Sequence, residues 1–176
     1  MAQTTDDQHG RALRLFFALP CPPPIARQIA AWRQALAADG KLVAPANLHL
    51  TLAFLGSLDA HHLTPLGEIA ASIQLPAFDL QLDRLACWSQ GLLHLAPSQP
   101  PQPLLELVEQ LQSRLRQHGY QQPGHAFRPH LTLARHSHLP AISPLANFAW
   151  TVERFALYAS ADGHYRELHS WPLENL

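Results

Sequence analysis

Polar and apolar side chains alternate with a period of two along His49-Leu50-Thr51-Leu52-Ala53, and the same five residues recur at His130-Leu131-Thr132-Leu133-Ala134. Such alternation marks a half-buried β-strand, with Leu50, Leu52, Leu131 and Leu133 turned to a core. His49, Thr51, His130 and Thr132 then share the opposite face. Elsewhere apolar residues recur at helical spacing. Ile25, Ile29, Trp32 and Leu36 predict a helix that Pro24 opens and Gly40 caps. Leu63, Leu66, Ile69 and Ile73 predict a second, capped by Asp59 after a turn at Gly56 to Asp59. Leu104, Leu107, Val108, Leu111 and Leu115 predict a third, ended by Gly119. Further strands are expected over residues 13–19, 77–87, 92–96, 150–159 and 165–171, the last two joined by a hairpin at Asp162-Gly163.

Strand, Pro-rich turn, helix, Pro and His-x-Thr strand therefore occur twice in the same order. That is an internal duplication, with repeats at about residues 12–88 and 89–160. The mixture is not a strict βαβ alternation. The expected class is α+β with mostly antiparallel sheet and the helices outside, its two similar halves facing each other across a pseudo-two-fold so that both His-x-Thr faces meet in one cleft. Residues 12–176 are expected to form a single domain and residues 1–11 a disordered tail.

Composition narrows the functions available. Only 14% of the 176 residues are charged and the net charge is −1. A protein that grips long nucleic acid by neutralising many phosphates needs a basic face, so that class is disfavoured, while a short RNA end or a nucleotide is not. Cys21 and Cys87 have neither metal-ligand nor disulfide-framework spacing and read as reduced thiols. The apolar run from Leu13 to Leu19 is too short for an export signal or a membrane span, which makes the cytoplasm the expected location.

Two imidazoles on one cleft suggest acid–base chemistry. With a reference pKa near 6.5, one can accept a proton while the other donates one. Placed on opposite sides of a phosphate, they can activate an incoming oxygen and protonate the departing one. Threonine hydroxyls two residues along lie on the same face. They can donate hydrogen bonds to non-bridging oxygens as the phosphorus becomes five-coordinate. No metal is needed once the leaving oxygen is protonated, and a strained cyclic phosphodiester suits the apparatus best.

At these residues the chain resembles the two-histidine phosphoesterase superfamily, and within it the bacterial and archaeal RNA 2',3'-cyclic phosphodiesterases, also called 2'-5' RNA ligases. The resemblance is carried by Arg14 to Pro20, by Asn47 to Gly56 and by Phe127 to Arg135, and spans about residues 12–172. It implies a bilobal fold of two antiparallel sheets related by the duplication around a central cleft, and metal-independent opening of a 2',3'-cyclic phosphate to a 2'-phosphate, with reversible 2'-5' ligation. It implies His49 as proton donor, His130 as proton acceptor, and Thr51 and Thr132 as phosphate ligands. The expected partners are RNA ends or nucleotides bearing the cyclic phosphate, with no cofactor, no metal, no membrane and a monomeric chain. A relative acting on another cyclic or 2'-5'-linked nucleotide, or a module that binds RNA ends without turnover, is the alternative.

Phe54 and Arg135 stand five residues after each histidine and are candidates to contact the base or the phosphate. Strand parity points them to the wrong face unless a bulge intervenes. Arg128 is a candidate for positive potential at the rim. Phe16, Phe17 and Phe127 read as core. His61, His62, His136 and His138 read as solvated loop residues without a partnering carboxylate.

Overall fold

The computed structural model describes residues 12–174, so the expected tail lies outside the described residues. The chain runs β1 (Leu13–Pro20), α1 (Pro23–Ala35), β2 (Lys41–Leu42), β3 (His49–Leu58), α2 (Leu63–Ala71), β4 (Phe78–Leu82) and β5 (Arg84–Trp88). It continues as β6 (Leu92–Ala96), α3 (Gln102–Gln117), β7 (Leu131–Arg135), β8 (Phe148–Val152), β9 (Arg154–Ala161) and β10 (His164–Pro172). Helices α1 and α3 lack a side-chain N-cap and instead begin with proline in the first turn, where its missing N–H costs nothing.

Two antiparallel sheets result. The larger has eight strands in the order β10-β9-β1-β3-β7-β6-β5, with β2 alongside β7; the smaller is β4-β8. Two strands flank the β3–β7 contact on each side, β1 then β9 and β6 then β5, and β10 extends the first side. Each half of the chain sends its last strand across to the first strand of the other half. β5 pairs with β6, and β9 with β1. The two lobes are therefore interlaced.

Amphipathic helices close the core. Ala26 and Ile29 of α1, Leu66 and Ile69 of α2, and Leu104, Leu107 and Leu111 of α3 are buried together with Phe17, Leu50, Leu131 and Phe155. A side chain of this size contributes about 1.5–3 kcal/mol when fully buried. Among the described residues no helix is long and apolar enough to cross a membrane.

Four boundaries differ from the sequence pattern. The stretch 77–87 is two strands in different sheets, separated at Asp83, whose carboxylate accepts from the Ser98 N–H and hydroxyl at 2.8 and 2.6 Å. The stretch 150–159 likewise belongs to β8 and β9, which break at Glu153. The alternation is interrupted at both places, where Asp83-Arg84 and Glu153-Arg154 set two polar residues side by side. Helix α1 stops at Ala35 rather than near Gly40, because Ala37 turns the chain at φ +52°. Gly40 serves a close approach instead: at φ +79°, a Cβ there would lie 2.3 Å from the Arg135 carbonyl oxygen. Finally, β3 runs through Gly56 to Leu58, with Gly56 paired to Leu15 where turn was expected. The Asp162-Gly163 hairpin forms with both residues at positive φ.

Candidate active site

Strands β3 and β7 pair at Leu50–Leu131. Both leucines point into the core and are fully buried. The residues on either side must then point to the opposite face, with His49 across from Thr132 and Thr51 across from His130. Beyond that contact the strands part, and the parting opens a cleft of about 670 Å³. His49, Thr51, Phe54, His130, Thr132 and Arg135 line it together with Arg14, Phe16 and Tyr165. Six of the seven candidate residues thus meet in one cavity.

A matched irregularity in each strand brings Phe54 and Arg135 to the cleft face. The β1–β3 register passes from Ala18–Thr51 to Phe17–Ala53, skipping Leu52. The β6–β7 register passes from His94–Thr132 to Leu93–Ala134, skipping Leu133. Each skipped residue is three after its histidine and reverses the parity of the residues beyond it. Phe54 emerges 47% exposed with the Arg14 guanidinium 5.3 Å from its ring centroid.

Both histidines are oriented in the same way. The Nδ1 of His49 donates to the Asn47 carbonyl at 2.7 Å, and that of His130 to the Arg128 carbonyl at 2.8 Å. Each neutral ring therefore carries its hydrogen on Nδ1 and leaves Nε2 for chemistry. The Nε2 of His49 lies 2.9 Å from the Thr51 hydroxyl. Asn47 is itself tied down, since its amide donates to the Gly163 carbonyl at the β9–β10 turn at 2.9 Å.

Electrostatics favour the neutral imidazoles. Burial lowers the pKa of His49 below its ordinary value; the Asn47 bond opposes this, and the charges of His130 and Arg135 add to it. Burial lowers that of His130 as well, opposed by its Arg128 bond and reinforced by Arg128 and Arg135. The charge of either ring disfavours that of the other, so the two titrate as a coupled pair.

The surroundings of the two rings differ although the backbone is symmetric. His49 packs on Phe16 and Tyr165, with centroids 5.0 and 5.2 Å away. His130 packs on Trp88 and His94 at 4.6 and 5.6 Å. Arg128 does not line the cleft. Its guanidinium sits over Trp88 at 4.4 Å, behind His130. His94, 2% exposed and cross-strand from Thr132, is a site neighbour that the sequence reading missed. It looked like an ordinary position of β6, and no local pattern places it beside His130. Arg14 and Tyr165 were missed for the same reason, because their roles depend on pairing between distant strands.

The remaining candidates lie elsewhere. Phe17 is buried in the core, Phe127 packs against it, and Cys21 is buried with its thiol pushed up to about 12, whereas Phe16, expected in the core, is buried beneath His49 at the cleft that it lines. Two of the four loop histidines, His61 and His138, have a carboxylate partner, contrary to expectation, while their rings stay exposed. Asp39 accepts from Ser137, from the His138 N–H and from the His138 ring, which draws its carboxyl down to about 2, and Asp59 accepts from His61. Among the described residues, no group of three or more His, Cys, Asp or Glu side chains could hold a metal.

The two His-x-Thr strands, paired within one eight-stranded antiparallel sheet, define a two-histidine site, and comparison with known proteins identifies the family. Residues 21–164 match the 2'-5' RNA ligase superfamily, and the chain belongs to that family. It is 37% identical over 169 residues to the RNA 2',3'-cyclic phosphodiesterase of Escherichia coli (strain K12), covering 91% of this chain and 96% of that one. The RNA 2',3'-cyclic phosphodiesterase of Bacillus subtilis (strain 168) is 29% identical over 157 residues, covering 81% and 85%. Among solved structures, E. coli LigT complexed with 3'-AMP superposes with a TM-score of 0.84 at 37% identity, covering 92% of this chain and 98% of LigT.

Proposed function

We propose that this protein hydrolyses RNA 2',3'-cyclic phosphate ends to 2'-phosphates without a metal, using His49 as proton donor and His130 as proton acceptor. The observation that carries the proposal is the Leu50–Leu131 register, which sets two Nδ1-anchored imidazoles and two threonines around one cleft. The same activity is named for the relatives in E. coli and B. subtilis.

In the proposed step His130 Nε2 takes a proton from water as the water oxygen attacks phosphorus. The P–O3' bond breaks, and His49 gives its Nε2 proton to O3'. The products are a 3'-hydroxyl and a 2'-phosphate, and exchange with solvent returns both rings to their starting states. Thr51 and Thr132 donate to the non-bridging oxygens, where charge accumulates. The fixed cations support this division of labour. Arg128 and Arg135 both oppose protonation of His130, which suits a base, whereas Arg135 is the fixed cation acting on His49. The rings' mutual repulsion belongs to the pair and does not discriminate between them. A 5'-hydroxyl attacking in place of water would form a 2'-5' linkage, the ligase side of the same chemistry. Phe54 and Arg14 offer a stacking surface for the terminal base, and Arg135 an anion contact.

The test is incubation with an oligonucleotide ending in a 2',3'-cyclic phosphate, in the presence of chelator. A 2'-phosphate end is the expected product. A 3'-phosphate end, or binding without product, would contradict the proposal.

A further inference from the structure

Where β3 and β7 part, the two residues that the ladders skip direct their carbonyls to side chains arriving from helices. The Leu52 carbonyl of β3 accepts from Gln112 Nε2 of α3 at 3.1 Å. The Leu133 carbonyl of β7 accepts from Arg33 Nη1 of α1 at 2.9 Å. Each helix thus serves the strand of the other half of the chain. A carbonyl left unpaired in the interior is costly; Gln112 supplies a donor at Leu52, whereas at Leu133 the guanidinium of Arg33 adds to a bond from the Val43 N–H.

Arg33 does more than Gln112. It is 6% exposed, and the same Nη1 also donates to the Val43 carbonyl at 2.7 Å. The Val43 N–H in turn donates to the Leu133 carbonyl at 2.9 Å. Val43 stands on the approach to His49 and lines the cleft, while Leu133 lies between Thr132 and Arg135. One guanidinium therefore clamps the segments leading to both halves of the site. Among the described salt bridges none involves Arg33, and burying a cation against carbonyls alone is costly.

We infer that Arg33 is a positioning residue: it holds β7 irregular at Leu133, and thereby aims Arg135 into the substrate cleft. Gln112 does the equivalent for Phe54. This rests on the proposed role of Arg135 as an anion contact in the phosphodiesterase reaction.

A double-substitution cycle tests it, with KM and kcat measured on the oligonucleotide ending in a 2',3'-cyclic phosphate. Arg33→Met should raise KM about tenfold while kcat stays within about twofold, the pattern of lost substrate binding. Arg33→Gln supplies the side chain used at the equivalent place and should recover most of the loss; it also serves if Arg33→Met folds poorly. In an Arg135→Ala background, Arg33→Met should have little further effect on KM, because the two residues act as one unit. Fully additive effects, or a fall in kcat with KM unchanged, would overturn the inference and leave the phosphodiesterase reading intact. An Arg135→Ala enzyme with unaltered KM would overturn the role of Arg135 and the inference with it. Absence of turnover in the unsubstituted protein would identify the phosphodiesterase reading as the failure.

Discussion

Leu50 and Leu131 face each other at the residue pair that joins β3 to β7, and both are fully shielded from solvent. This contact holds the two lobes in register and carries His49 and His130 to the same cleft. Leu131→Ala is expected to lower stability by about 2–5 kcal/mol, the cost of a leucine-sized cavity. Urea denaturation checks this. A loss below about 1 kcal/mol would mean that the lobes are held together elsewhere.

Thr51→Val and Thr132→Val remove one hydroxyl each while preserving shape. Each should reduce kcat by roughly 10²–10³-fold, as expected for a lost donor to a charged transition state. Thr51 should show a second effect, since its hydroxyl also meets His49 Nε2. Steady-state kinetics on a cyclic-phosphate oligonucleotide separates kcat from KM. A rise in KM with kcat unchanged would mean that these hydroxyls bind substrate and transition state equally.

Burial and neighbouring positive charge both disfavour the imidazolium form of His49 and His130. Their pKa values are therefore lowered, and a bell-shaped profile of kcat/KM should be centred below about pH 6.5. The acid limb appears as the base becomes protonated, and the alkaline limb as the acid loses its proton. A rate that climbs steadily from roughly pH 5 to 9 would contradict acid–base catalysis by this pair.

Phe54 is exposed in the cleft and backed by Arg14. Phe54→Ala should weaken binding of the terminal nucleotide by about 1–3 kcal/mol, the usual worth of a base–aromatic stack. Titration of the inactive His130→Asn protein with the oligonucleotide measures this directly. Unchanged affinity would remove Phe54 from substrate recognition.

Much of the architecture was legible because periodicity reports which face of an element is buried. Leu50, Leu52 and Leu133 identified the core side of both key strands, and the helical spacing of Leu104 to Leu115 found α3. The repeated His-x-Thr pattern then implied a cleft between the halves. The changes of sheet at Asp83 and Glu153 coincide with polar pairs, Asp83-Arg84 and Glu153-Arg154, that interrupt the alternation, but an interruption alone does not say which sheet the next strand joins. The irregularities at Leu52 and Leu133 were foreseeable only as a condition for Phe54 and Arg135 to reach the cleft. Their cause lies in Gln112 and Arg33, whose distance along the chain hides the contact. His94 was hidden likewise, because only the β6–β7 pairing sets it beside His130.

The most direct test tracks a single turnover of a 2',3'-cyclic-phosphate oligonucleotide in chelator, comparing the unsubstituted protein with His49→Asn and His130→Asn. Each substitution should slow appearance of the 2'-phosphate by about 10²–10⁴-fold, the range for loss of a general acid or base. Undiminished rates in both variants would contradict the account.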